Sequence, residues 1–500
     1  MAYRTIKDIG TNVVANGIYI VVNTLASIFV IGLVVREIGQ ELYGLVIFIN
    51  LFSVGGFGGL ADLGLASSIV KLLAEDVHLN TQRTSSIVAQ SFTFYLILGA
   101  LISCVVLLFG FNVEGFTSVG PATLSELQPI SLFLSANAFL EFLILWQSAV
   151  FQGCQRFDIL RFWQIAKAVL YLILASSGLA FDLDVFAWLG GMLVSNLFLV
   201  IVLHLGMLRL SPYLRPRLFF DWSTSKSLIR FSAKIFVFRI TGIIYNNVAK
   251  FTLGVGMGTI AVAVYDIATR FLNLFLNISR AITPTIVPLA SSLNAAGAHG
   301  RVSELFLSAT YYLLVLTIPP LVITMFDLAQ ILNVWLGPQF IELAAPIGWV
   351  LAHLFVWSFS PIGWNILIGI NRMKLIMLTN VLNVILFTAS LFIFLSEGAK
   401  GVGYSLLIAN AIIVPLNLWI YQKELGFKWN DMLNQLTRPL VTSILIGMSA
   451  WFVPNSFDLN AFQITGRYVA IVLLYLGLTF ILSPEKEKDR ILTIVGVKSA

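Results

Sequence analysis

About fourteen apolar runs, each long enough to cross a bilayer as a helix, constrain this chain more than any other feature. An α-helix rises 1.5 Å per residue, so about 20 apolar residues span the hydrocarbon layer. The runs lie near 9–35, 43–66, 85–110, 127–151, 159–181, 184–208, 228–254, 259–288, 303–328, 343–370, 374–395, 401–422, 437–454 and 464–483. They are continuous rather than alternating, which excludes a transmembrane β-barrel. The second is the least regular, with glycines from Gly55 to Gly64, and the thirteenth is short. The chain is 58% hydrophobic and 11% charged, with a mean hydropathy of +0.93. Soluble domains run near 45–50% apolar and about 25% charged. Lipid must therefore be the solvent for much of this protein, and the fold class expected is an all-α polytopic membrane protein.

Loop charge supports an even number of spans. With both termini cytoplasmic, 21 lysines and arginines fall on the inner side and three (Arg36, Lys400 and Arg467) on the outer side. Basic residues gather on the cytoplasmic side of membrane proteins, so the net charge of +6 implies no nucleic-acid partner. The N-terminal apolar run continues to Val35, too long for a signal-peptide core, and reads as the first span. Cys104 and Cys154 form no disulfide framework and are expected as free thiols. The loops are too short to hold a soluble catalytic module. There is no Walker glycine loop and no metal-ligand spacing. No enzyme activity and no cofactor are expected.

An internal repeat organises the spans. Leu65-Ala66-Ser67-Ser68 closes the second and Leu289-Ala290-Ser291-Ser292 closes the eighth. Gly153 and Arg156 follow the fourth span, Gly369 and Arg372 the tenth. Six helices thus recur after six, in one orientation, which implies two lobes related by a pseudo-two-fold along the membrane normal plus two extra C-terminal helices. The expected divisions are an N-terminal lobe over 1–208, a basic cytoplasmic linker over 209–227, a C-terminal lobe over 228–422, and helices 13 and 14 with a tail over 423–500.

Ionisable side chains inside spans are costly and by default mark a site. The eighth span carries Asp266, Arg270, Asn273, Asn277 and Arg280 at steps of 4, 3, 4 and 3, all on one helical face. The seventh carries Arg239, Asn246 and Lys250, and the first Asn12, Asn16, Tyr19 and Asn23, again on single faces. Arg239 and Arg270 each lie roughly 16 Å into their spans, near the bilayer middle. The simpler reading is helix-to-helix adhesion or snorkelling, which suits Lys250 and Arg280 near span ends as well as binding does. For Arg239 and Arg270 a hydrated, cationic cavity is favoured, because a planar guanidinium grips two phosphate oxygens at once. The expected substrate-binding residues are Arg239, Arg270, Lys250, Arg280, Asn273, Asn277, Asn246, Asn16 and Asn23. Asp266 and Glu141, carboxylates inside spans, are candidates for ion coupling. Asp62 reads as a helix-end polar group.

Val35-Arg36-Glu37-Ile38-Gly39-Gln40-Glu41-Leu42-Tyr43-Gly44 and then Leu60-Ala61-Asp62-Leu63-Gly64 resemble the opening of the polysaccharide-unit flippases of the multidrug/oligosaccharidyl-lipid/polysaccharide superfamily. The Gly-x-x-Arg step after the fourth and tenth spans is also similar. The resemblance implies alternating access around a central cavity lined by the first, second, seventh and eighth helices. It further implies an isoprenoid-diphosphate-linked oligosaccharide as substrate, and the reading that follows is a flippase in a cytoplasmic membrane, for which the carboxylates inside spans make H+ or Na+ the candidate coupling ions. The alternatives are an ion-coupled drug or small-molecule antiporter of the same fold and, from another class, a membrane glycan polymerase or ligase. The latter needs outer loops that this chain lacks.

Overall fold

The computed structural model describes residues 6–75, 81–180 and 184–434, with isolated positions beyond. The described elements are helical: α1 (Ile6–Asn50), α2 (Leu65–Ala74), α3 (Gln82–Phe111), α4 (Pro121–Leu124), α5 (Leu127–Gly153), α6 (Phe157–Ala180), α7 (Val185–Leu210), α8 (Trp222–Met257), α9 (Thr259–Ala295), α10 (His299–Phe326), α11 (Leu328–Trp335), α12 (Ala344–Trp357), α13 (Pro361–Gly369), α14 (Met373–Ile393) and α15 (Ala399–Leu425), with short 3-10 turns between some of them. Ten of the described helical segments are long and apolar enough to cross a membrane, so this is a multi-pass membrane protein. The expected thirteenth and fourteenth spans lie outside the described residues.

Two expected spans are not single helices. In the second, α1 ends at Asn50, and Phe57–Asp62 forms a 3-10 turn before α2 begins. A side chain at Gly56 or Gly58 would strike the carbonyls of Leu51, Phe52 and Ser53, so the chain coils on itself more tightly than any Cβ allows. Leu63 and Gly64 then take positive φ, and α2 starts. Its first turn is held by Asp62, which accepts from the Ala66 N–H at 3.1 Å and from the Tyr95 hydroxyl. That is a helix cap, as the sequence suggested. The tenth span breaks between α12 and α13. There the Ser360 carbonyl accepts from the Tyr421 hydroxyl at 3.0 Å, and Ser360 Oγ accepts from Asn417 Nδ2 at 2.9 Å. The first break closes its backbone hydrogen bonds within its own coil, and the second finds partners on α15, as backbone freed inside a membrane must.

The chain forms two compact units, Met1–Ile267 with Leu395–Ala399, and Ala268–Phe394 with Lys400–Ala500. In the first unit α3 packs against α5. Ring atoms of Phe139 and the Cβ of Phe142 close over Gly99, and Ser103 Oγ donates to the Ser135 carbonyl at 2.8 Å. Small residues and hydroxyls are what let helices approach when lipid supplies no hydrophobic drive between them. Tyr95, Ile102 and Val106 are buried on this face of α3, while Ile97, Leu101 and Leu108 on the other are 56–62% exposed, the pattern of a lipid-facing stripe. In the second unit Phe306, Tyr421 and Phe427 form an aromatic centre, with Ile286, Leu313 and Ile366 buried in the same core.

The repeat appears as one corner made twice, once within each unit. Gln155 and Asn371 both hold positive φ, 55° and 62°. The Arg156 N–H donates to the Phe151 carbonyl at 2.9 Å, and the Arg372 N–H to that of Leu367 at 2.8 Å. This is the left-handed helix stop whose six-to-one hydrogen bond ends a helix sharply. The glycines serve a different need. A methyl on Gly153 would sit 2.8 Å from Leu73 Cβ, and one on Gly369 would sit 2.7 Å from the Val287 carbonyl oxygen and 2.9 Å from Ala290 Cβ. Each glycine therefore lets the fourth helix of its half touch the end of the second. The contacts also show that the tetrapeptides are out of register. Gly153 meets Val70 and Leu73, well past Leu65, whereas Gly369 meets residues immediately around Leu289.

Candidate functional site

The polar face of α9 is one continuous helical stripe whose residues fall in both units. At its start, in the first unit, Asp266 is 1% exposed. One carboxylate oxygen accepts from Lys250 Nζ of α8 and the other from the Tyr43 hydroxyl of α1, both at 2.5 Å. The Lys250 side chain is 17% exposed. Gly44, next to Tyr43, allows this closeness, because a Cβ there would strike the Thr259 carbonyl. Lys250 was expected among the substrate-binding residues; the structure places its ammonium on the Asp266 carboxylate.

Further along α9, in the second unit, Arg270 and Asn273 are half-buried. Asn273 donates to the Thr269 carbonyl at 2.8 Å, which turns its own carbonyl toward Arg280 at 3.5 Å. Arg280 Nη1 also donates to Asn277 Oδ1 at 3.0 Å. Two amides thus orient an exposed guanidinium one to two turns along the same face. Amide oxygens partner its donors without cancelling its charge. Asn246 and Asn23 are exposed. The side chains of Asn12, Asn16 and Arg239 lie outside the described residues.

Glu141 of α5 belongs to a separate cluster within the first unit. Its Oε1 accepts from Asn137 Nδ2 at 2.9 Å, and Asn137 Oδ1 accepts from Asn196 Nδ2 at 2.7 Å. Asn50 Oδ1, at the end of α1, is buried without a hydrogen-bond partner. Ser53, Val54 and the charge of Lys167 lie around the carboxylate. Lys167 of α6 is a residue the sequence reading missed. It formed no polar stripe in the fifth span, but an acid inside one span and a base inside the next was the available signal. Arg161, also on α6, stands 4.8 Å over the Tyr19 ring and donates to Gln164 at 2.6 Å. The first helix's polar face therefore meets a cation.

A family profile described as a polysaccharide biosynthesis protein matches residues 33–345. Among solved structures the chain is similar to the lipid II flippase MurJ in an inward closed conformation, at 13% identity, with a TM-score of 0.74 over 93% of this chain and 98% of that one. It is also similar to a multidrug resistance MATE family transporter of the MOP superfamily in an inward-facing conformation, at 15% identity and a TM-score of 0.65, over 81% and 94% of the two chains. A MOP superfamily transporter from Pyrococcus furiosus aligns at 16% identity with a TM-score of 0.50, over 84% and 94%. These are likenesses of fold. A search of curated protein sequences finds no match to this chain.

Proposed function

The chain belongs to the polysaccharide biosynthesis protein family, and from that premise we propose that it is a flippase, not an enzyme, moving an isoprenoid-diphosphate-linked oligosaccharide across the cytoplasmic membrane. The observation that carries the substrate class is the cationic face of α9. Arg280 is held by Asn277 and Asn273 with its charge uncompensated by them, about 15 Å along the helix from Arg270. Guanidinium groups spaced along one face suit a diphosphate that must be handed from one leaflet toward the other, because each can grip two oxygens and release them. The lipid tail would stay in the bilayer. Arg239, Asn16 and Asn23 are the further candidates for the same path.

Of the two carboxylates considered for coupling to H+ or Na+, Glu141 is the better placed. The Glu141 carboxylate accepts from the neutral Asn137 amide, whereas Asp266 is engaged by the Lys250 ammonium. Both oxygens of Asp266 already accept hydrogen bonds. With both termini cytoplasmic, reporters fused at residues 120 and 220 report outside and inside respectively.

The test is export of lipid-linked glycan by an Arg270→Ala variant, in cells and in proteoliposomes, beside a melting curve showing the fold intact. A charge-assisted pair is worth about 1.5–3 kcal/mol, so export falls by roughly one to two orders of magnitude. Arg270→Lys retains part of the activity, since charge survives and the fork does not. Undiminished export by the alanine variant overturns the reading.

A further inference from the structure

The linker between α7 and α8 is not a free loop. Residues 215–221, outside any regular element, cross α3. Thr93 Oγ1 accepts from the Phe219 N–H and donates to the Phe219 carbonyl, both at 3.0 Å, and Gln90 Oε1 accepts from the Asp221 N–H at 2.7 Å. Leu218 and Phe220 of this segment, and Trp222 at the start of α8, are 70%, 66% and 68% exposed, more than most apolar residues of the spans.

The place of attachment decides what covers them. Gln90, Thr93, Ile97, Leu101, Cys104 and Leu108 follow one another along α3 at steps of 3, 4, 4, 3 and 4, so they share one face. From Ile97 onward that face is the exposed, lipid-facing stripe described above. Thr93 lies one turn, about 6 Å, before Ile97. The segment therefore crosses the lipid-facing side of α3 one turn before the exposed stripe that starts at Ile97, and Leu218, Phe220 and Trp222 are exposed beside it. Around them Arg209, Arg215, Arg217 and Lys226 are all exposed, and Asp221 is the lone acid in this stretch. Large apolar residues flanked by arginine and lysine suit the headgroup boundary of an anionic leaflet, where rings and aliphatic chains enter the acyl region and the cations meet phosphate.

We infer that residues 215–222 form an interfacial strap, docked by Leu218, Phe220 and Trp222 on the anionic phospholipid surface of the leaflet at the Gln82 end of α3. The proposed transport function supplies only the sidedness, which makes that leaflet cytoplasmic; contact with lipid is read without any transport measurement. The strap is a fixed feature of the first unit, pinned by side chains of α3, so the chain leaves the sixth span along the membrane and enters the seventh from it.

The experiment uses the full chain carrying Cys104→Ala and Phe220→Cys, labelled with an environment-sensitive fluorescent maleimide. Cys154 stays, since burial pushes its thiol up to about 12 and leaves it unreactive. Ala296→Cys, in the exposed turn after α9, is the water-facing control. In vesicles of phosphatidylcholine and phosphatidylglycerol, the label at 220 is quenched by lipid carrying a shallow spin label and shielded from aqueous iodide. The label at 296 behaves the opposite way. Changing Arg215→Gln with Arg217→Gln, or removing phosphatidylglycerol, raises iodide quenching at 220. If the Phe220 variant fails to fold, Leu218→Cys gives the same readout. Iodide quenching at 220 equal to that at 296 overturns the strap. So does shielding from both quenchers with a 220-to-220 disulfide between copies, which would assign the face to a second copy. Indifference to both phosphatidylglycerol and the two arginines overturns its anionic character.

Discussion

The corner after α5 and the corner after α13 share a backbone, yet the helices that meet them differ. At Gly153–Arg156 the neighbour is α2, a short helix that follows a glycine-coiled break. At Gly369–Arg372 it is the end of α9, an unbroken helix of 37 residues with a polar face. The two arginines diverge as well. Arg156 pairs locally with Asp158 at 3.0 and 3.1 Å, whereas Arg372 reaches Glu424 of α15 at 2.9 Å. A repeat is thus kept where helix must stop on helix and is released in the ion pairs that the arginine makes. A corner has few solutions, because the left-handed residue, the six-to-one hydrogen bond and the close glycine must occur together. A helix face has many.

The largest test of that contrast compares the two buried aspartates of the second and eighth spans. Asp266→Asn keeps the shape but removes the charge facing Lys250. Breaking a buried pair from one side costs about 3–5 kcal/mol, read as a large loss of thermal stability in detergent. Asp62→Asn should cost less than about 1 kcal/mol, since asparagine caps a helix nearly as well as aspartate. Equal losses would mean that Asp62 is more than a cap.

The glycines come next. Gly369→Ala forces a methyl against a carbonyl and a neighbouring Cβ, and overpacking of this kind costs about 1–3 kcal/mol. Gly153→Ala meets Leu73 Cβ at 2.8 Å but no atom as close as the Val287 carbonyl, and it should cost less because the short helix α2 can shift more readily than α9. Reversal of that order in melting curves would show that α2 is held more rigidly than α9.

The smallest effect lies in the left-handed residues. A left-handed conformation costs an ordinary residue about 1–2 kcal/mol, and asparagine less. Gln155→Gly should therefore stabilise the protein by up to about 1 kcal/mol and Asn371→Gly by a few tenths. A larger gain at 371 would break the equivalence of the corners.

Residue order alone determined the membrane class, ten of the apolar spans, the glycine-rich weakness of the second, the helix-end role of Asp62, the Gly-x-x-Arg repeat and the polar face of α9. All of these are local. Hydropathy over 20 residues, helical phase over 15 and a turn over four are written in neighbouring letters, and lipid leaves helices few ways to disobey them. Tertiary structure decided who meets whom. Lys250 joins Asp266 from 16 residues away and Tyr43 from 223 away. Lys167 faces Glu141 from the next helix, and the linker lies on α3 more than a hundred residues before it. A stripe announces that a helix has a polar side, but the cost of burying a charge is settled by the partner across the gap, which no run of sequence around either residue contains.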